Sequence, residues 1–254
     1  MELMFFKLLA VVVILAIGLG FGRMPLHFGT TDHGLRAMIY GDAFSAGIFL
    51  GAALLHMLPD AQSNFAAATG LPAYPLAALA CGLGFLLLLF IEQAMVNAHR
   101  DIRAEDRFTP YLLVVVLSIH SIIAGSTLGL ETAALSSLAI FIAIISHKGA
   151  AAFALGNNLV ENGVKGKRYL GLILLFAVMT PVGIGVGTLF ATLLSSESAQ
   201  VSEAIFDAFA AGTFLYVGVV EIFGKLFSRP GSPWRKLVLS LLGFLLMALI
   251  AVWV

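Results

Sequence analysis

The sequence predicts an all-α integral membrane protein of eight transmembrane helices, with both termini outside and one polytopic domain over residues 1–254. Three observations carry this. Residues are 60% hydrophobic and only 11% charged, with a mean hydropathy of +1.03, and a soluble domain carries roughly 25% charged residues. Apolar stretches of about 20 residues, the length that crosses a bilayer, recur along the whole chain. Basic residues occur in every second connection, as expected of loops on the cytoplasmic face.

Charge, proline and glycine divide the chain into spans at 3–22, 38–59, 74–96, 110–130, 133–159, 168–194, 202–226 and 234–254. The first, within MELMFFKLLAVVVILAIGLGFG, resembles a secretion signal only superficially. Glu2 is acidic, Lys7 is the only basic residue near the start and no A-x-A cleavage pattern follows. Span two, FSAGIFLGAALLHMLPDA, brings His56 and Asp60 onto one helical face at i, i+4 near its outer end, and carries Asp42 near its inner end. Span three holds Cys81, which has no partner for an intrachain disulfide and reads as a small packed side chain, and Glu92 towards its inner end. Span four carries His120 and Ser121 at its centre. Span five carries His147 and Lys148 at its centre, then Asn157 and Asn158 at its inner end, where they cap or line the helix. Span six contains Pro181, expected to kink it or free a carbonyl. It also contains GIGVG at 183–187, small residues that permit close helix approach. Span seven has Asp207 near its outer end and Glu221 near its inner end.

The loops set the orientation. Arg23 and Arg36 lie between spans one and two, Arg100, Arg103 and Arg107 between three and four, Lys165, Lys167 and Arg168 after five, and Lys225, Arg229, Arg235 and Lys236 between seven and eight. Of the 14 basic residues only Lys7 and Lys148 depart from this pattern. The positive-inside rule puts these four loops in the cytoplasm. The expected location is a cell membrane, the inner membrane in a bacterium.

Two histidines mid-span are the strongest functional signal. An ionisable side chain at bilayer depth is costly and marks a functional site by default. Imidazole ligates zinc, iron and other transition metals. His120 and His147 on adjacent helices therefore suggest a midmembrane site for a metal cation; an interhelical hydrogen bond that holds the bundle together is the alternative. A net charge of zero gives no basic nucleic-acid surface. No HExxH, P-loop, GxSxG or nucleotide fingerprint stands in a suitable setting, and Ser121 and His120, adjacent on a helix, point about 100° apart. The chain is therefore not expected to be an enzyme, and no cofactor is expected.

The pieces GIFLGAALLHMLPDA, FLLLLFIEQ, HSIIAG, HKGAAAFALG, FAVMTPVGIGVG and AGTFLYVGVVEIF follow one another across essentially the whole chain. In that order they resemble the ZIP (Zrt/Irt-like) family of metal-ion transporters, in the branch with an HK pair in the fifth helix. The resemblance implies an eight-helix bundle, often a homodimer, that carries divalent metal towards the cytoplasm through a site between helices four and five. It implies His120, Ser121 and His147 as ligands, and Lys148 as a charge standing in for a second metal bound in other branches. The family's usual H-[SN]-x-x-E-G pattern is broken here: Ala124 stands where a metal-binding glutamate is usual, and Ala151 occupies the equivalent place in span five.

The reading is a membrane transporter of a divalent cation, zinc first and Fe2+, Mn2+ or Cd2+ as alternatives, with the lipid bilayer as its other partner. His56, Asp60 and Asp207 form the outer vestibule; His120, Ser121 and His147 the midpoint; Glu92, Asp42 and Glu221 the release path. His27, Asp32 and His33, in the first cytoplasmic loop, read as a solvated segment that meets departing metal at most. The alternatives are a ZIP-like carrier of a different substrate and a non-transporting metal sensor, both motivated by Ala124 and Ala151.

Overall fold

The computed structural model describes residues 2–28, 31–69, 74–98, 105–191 and 196–253. The basic loop residues Arg100 and Arg103, together with His99, and the end of the sixth expected span at 192–194 lie outside the described residues. Among the described residues, eight helices are long and apolar enough to cross a membrane: α1 (Glu2–Phe28), α2 (Asp32–Ala68), α3 (Leu76–Ala94), α4 (Tyr111–Leu130), α5 (Ala134–Glu161), α6 (Gly166–Phe190), α7 (Val201–Leu226) and α8 (Pro233–Ile250). One end of the bundle, the acidic face, carries Asp60, Glu131 and Ala191. The opposite, basic face carries Lys165, Arg229 and Arg235.

The helices sort into two groups. In one, α4 packs along α6, and α1 lies against α5 and α6. In the other, α2 packs along α8 and α7 packs against both α2 and α3. Contact between the groups runs mainly through α5 against α2 and α4 against α7. Burial follows: 67% of the α2 window is buried, against 22% for α1, α3 and α8. The peripheral helices turn Leu, Phe and Val outward, as lipid-facing surfaces do.

Small residues set how closely the partners approach. A Cβ on Gly183 would fall on the Ile122 carbonyl and lie 3.0 Å from the Gly125 Cα, so α4 and α6 touch backbone to backbone. The short α5–α6 turn needs glycine for a different reason: Gly163 has φ 71°, a left-handed conformation that costs glycine nothing.

Two features depart from simple spans. The second helix begins at Asp32 and runs to Thr69, well beyond 38–59 at both ends, and is π-helical over Ala53–Met57. The seventh is π-helical over Tyr216–Phe223. Helix α6 continues through Pro181. Cys81 is a buried free thiol facing its neighbours. The two basic residues outside the loop pattern are both buried. Lys7 Nζ donates to the Gly129 carbonyl at 2.6 Å, placing a cation at the C-terminal end of α4, where exposed carbonyls favour positive charge.

Candidate functional site

His120 and His147 come together at the boundary of the two groups. Their ring centroids are 5.5 Å apart with planes at 70°, and both residues are buried. Two imidazoles sharing one tetrahedral zinc at a Zn–N distance of about 2.1 Å have centroids about 5 Å apart, so the spacing suits a shared ion. Both nitrogens of His120 and Nδ1 of His147 are buried without a hydrogen-bond partner. Buried polar atoms normally find partners, so the alternative reading, an interhelical hydrogen bond, does not account for His120. Phe214, from α7 of the other group, stacks on His120 at 3.9 Å and meets His147 edge-on at 5.2 Å.

A cavity of about 220 Å³ reaches both histidines and lies between the groups. It is lined by His56, Asp60 and Asn64 of α2, Ala124 and Thr127 of α4, and Glu203 and Asp207 of α7, among others. His56 Nδ1 lies 2.7 Å from Asp60 Oδ2, the i, i+4 pairing expected from the sequence. Asp60, Glu203 and Asp207 are near enough for their charges to act on one another. Acidic groups above neutral imidazoles concentrate cations over a pair of nitrogen ligands. Among the described residues no three His, Cys, Asp or Glu side chains converge as a ready metal cage.

Ser121 is placed differently from the histidines. It does not line the cavity; its Oγ accepts from Lys148 Nζ at 2.9 Å. The same ammonium donates to Thr180 Oγ1 at 2.9 Å and the Phe176 carbonyl at 3.3 Å, and sits 3.8 Å above the Phe176 ring. Lys148 is thus enclosed by oxygen and π-face acceptors from α4 and α6, directly behind His147. The buried Ala151, one turn on, does not line the cavity, whereas Ala124 does.

A second cavity of about 220 Å³ opens towards the basic face and is lined by Asp42, Asn158, Glu161, Glu221, Lys225 and Arg229, among others, but by neither central histidine. Asp42 Oδ2 accepts from Asn157 Nδ2 at 2.5 Å and from Arg229 at 2.7 Å. Arg229 also pairs with Glu161, and Lys225 with Glu221 at 2.8 Å. Glu92 and Glu221 of the expected release path both lie near Tyr216, whose buried hydroxyl has no hydrogen-bond partner among the described residues. His27 bonds back to the Arg23 carbonyl at 3.2 Å, and Asp32 and His33 are exposed in the first turn of α2, outside both cavities.

Five residues of these sites escaped sequence reasoning. Glu203 carried a usable signal, since it lies one turn before Asp207 on the same face. Glu161 and Arg229 read as ordinary loop charges. Thr180 and Phe214 carried no signal, because only the packing of α6 and α7 against α5 reveals them.

A profile of the family described as ZIP zinc transporter matches residues 5–108 and 96–251. Zinc transporter ZIP2 of Mus musculus is 27% identical, with 97% of each chain covered. Zinc transporter ZIP1 of Takifugu rubripes is 29% identical, covering 95% of this chain and 96% of its own. Matched almost end to end, with eight apolar helices and a histidine pair between the fourth and fifth, this multi-pass membrane protein belongs to the ZIP zinc transporter family.

Proposed function

We propose that this chain carries a divalent metal cation, zinc first, from the acidic face to the basic face, which is the cytoplasmic one, across a cell membrane. The observation that carries the reading is the buried pair His120 and His147, with unpartnered ring nitrogens at the floor of a cavity rimmed by carboxylates. Zinc gathers at Asp60, Glu203, Asp207 and His56. It then meets the two imidazoles and leaves past Asp42, Glu92 and Glu221. The relatives' names as zinc transporters support zinc over Fe2+, Mn2+ or Cd2+. The HK pair at 147–148 supports the branch where a lysine stands in for the second metal, and the oxygen acceptors around Lys148 agree with a resident cation there. The chemistry is transport without bond making, so the chain acts as no enzyme. Alternating access follows from one helix group moving against the other about a site at their boundary.

The test is zinc influx into liposomes loaded with a zinc-sensitive dye. Saturable influx by the parent and its loss in the His120→Ala/His147→Ala variant are expected. Equal influx by the two proteins sinks the route. A second reading, a sensor that binds zinc without moving it, is favoured by one observation: Ala124 faces the cavity where a carboxylate ligand is usual. Saturable zinc binding by isothermal titration without influx selects it.

A further inference from the structure

The basic-face cavity holds carboxylates that already have cations of the chain's own. We propose that Arg229 is a latch: its guanidinium ties the two helix groups together at the basic face and holds that cavity closed from the histidine pair. The inference rests on the transport reading for its purpose, though not for its geometry.

Arg229 stands in the turn between α7 and α8, in the second group. One arm holds Asp42 of α2, in its own group; the other holds Glu161 at the end of α5, in the first group. Asn157 of α5 crosses the boundary in the opposite direction to reach the same Asp42 oxygen. A planar guanidinium with five fixed donors is suited to two carboxylates at once, where a lysine is not. The turn that carries it is itself held. Fully buried Lys236 donates to the carbonyls of Leu226 and Arg229 at 2.7 and 2.6 Å, and the Ser232 amide donates to Tyr40 Oη at 3.4 Å. Arg229 is therefore delivered from a fixed backbone to a movable partner. By contrast the ion pair of Lys225 with Glu221 lies within α7.

The histidine pair meets the acidic-face cavity and is absent from the lining of the other. Sliding of the first group towards the basic face pulls Glu161 away from Arg229 and Asn157 away from Asp42. A divalent cation arriving there competes with the guanidinium for the same oxygens, so release of metal and release of the latch favour each other. Because the Arg229 side chain retains 23% exposure, the pair is a weak tie that shifts a two-state equilibrium about two- to tenfold, suited to repeated opening.

The test uses the full chain in detergent with no metal. Asn158→Cys, in a Cys81→Ser background, places one thiol in the basic-face cavity, and the labelling rate with a polar maleimide reports its opening. Arg229→Gln and Glu161→Gln are each expected to raise the rate about two- to tenfold. Arg229→Lys falls between, and Lys167→Gln, at an exposed position outside both cavities, leaves the rate unchanged. Unchanged labelling in both Arg229→Gln and Glu161→Gln overturns the latch, as does an equal rise in Lys167→Gln. Monodisperse elution and unchanged helicity identify variants that remain folded, and the milder Arg229→Lys serves if Arg229→Gln does not. A failure of zinc influx refutes transport and leaves this result standing.

Discussion

The backbone contact between α4 and α6 yields the sharpest stability prediction. A Cβ on Gly183 would meet the Ile122 carbonyl carbon at 2.9 Å and the Gly125 Cα at 3.0 Å, and one on Gly125 would meet the Ile184 amide nitrogen at 3.0 Å and the Gly183 Cα at 3.1 Å. These neighbours are backbone, so no rotamer change relieves the clash. Ordinary carbon contacts lie at about 3.5–4.0 Å, so the helices must part by up to about 1 Å along this face. Overpacking of this kind costs about 1–3 kcal/mol. Gly125→Ala and Gly183→Ala are each expected to lose that much in reversible unfolding titrations in mixed detergent micelles, followed by helicity. The two methyls address one gap: once the first has parted the helices, the second finds room. The double variant should therefore cost less than the sum by about 1 kcal/mol, a coupling expected only of residues in contact. Gly185→Ala, whose Cβ meets nothing within 4 Å, is the control and should be neutral or stabilising by up to about 1 kcal/mol through helix propensity. Strict additivity of the two costly variants, or a loss at Gly185 equal to theirs, refutes the packing argument.

Other perturbations follow from the site. Ala124→Glu adds a carboxylate to the cavity one turn from His120 and should tighten zinc binding about tenfold or more by isothermal titration, in line with the strength of charged interactions; unchanged affinity shows that this face of α4 does not reach the ion. Glu203→Gln/Asp207→Asn should raise the apparent KM of zinc influx several-fold at low ionic strength and less at high salt, while a salt-independent effect points to altered packing. Thr180→Val removes one of the Lys148 oxygen acceptors and should destabilise the fold by about 0.6 kcal/mol, the average for hydrogen bonds inside a membrane protein, and by no more than about 1.7 kcal/mol; no loss in the same micelle titrations shows that Ser121 and Phe176 suffice.

What was legible in the sequence divides along physical lines. Bilayer thickness imposes a length and a polarity, so eight helices stand out wherever about 20 apolar residues run together. His120 and His147 stand out because ionisable groups are rare at that depth. The i, i+4 pairing of His56 with Asp60 is local geometry and was equally readable. Ser121 was not: its neighbour across the bundle, Lys148, takes its oxygen, and that choice depends on how α5 sits against α4 and α6. Glu161 and Arg229 look like any loop charges until the fold brings residues 68 positions apart into one ion pair. The full length of α2 is not legible in hydropathy, because residues such as Ser63 and Asn64 are polar enough to read as loop, yet the helix continues through them and they line the acidic-face cavity.

The π-helical turn at Ala53–Met57 makes α2 sensitive to the length of the chain as well as to its chemistry. A π turn accommodates one residue more than the surrounding α-helix can, and its removal restores regular winding. Deleting a single residue between 53 and 55 would therefore remove the bulge and leave Asp60 facing the cavity much as before, whereas a deletion in regular α-helix turns everything beyond it by about 100° about the helix axis. Asp42, before the turn, would keep its place beside Asn157. The turn thus stores one residue of slack between the two ends of the proposed path, and the helix can give up that residue of count without turning its outer half off the cavity wall.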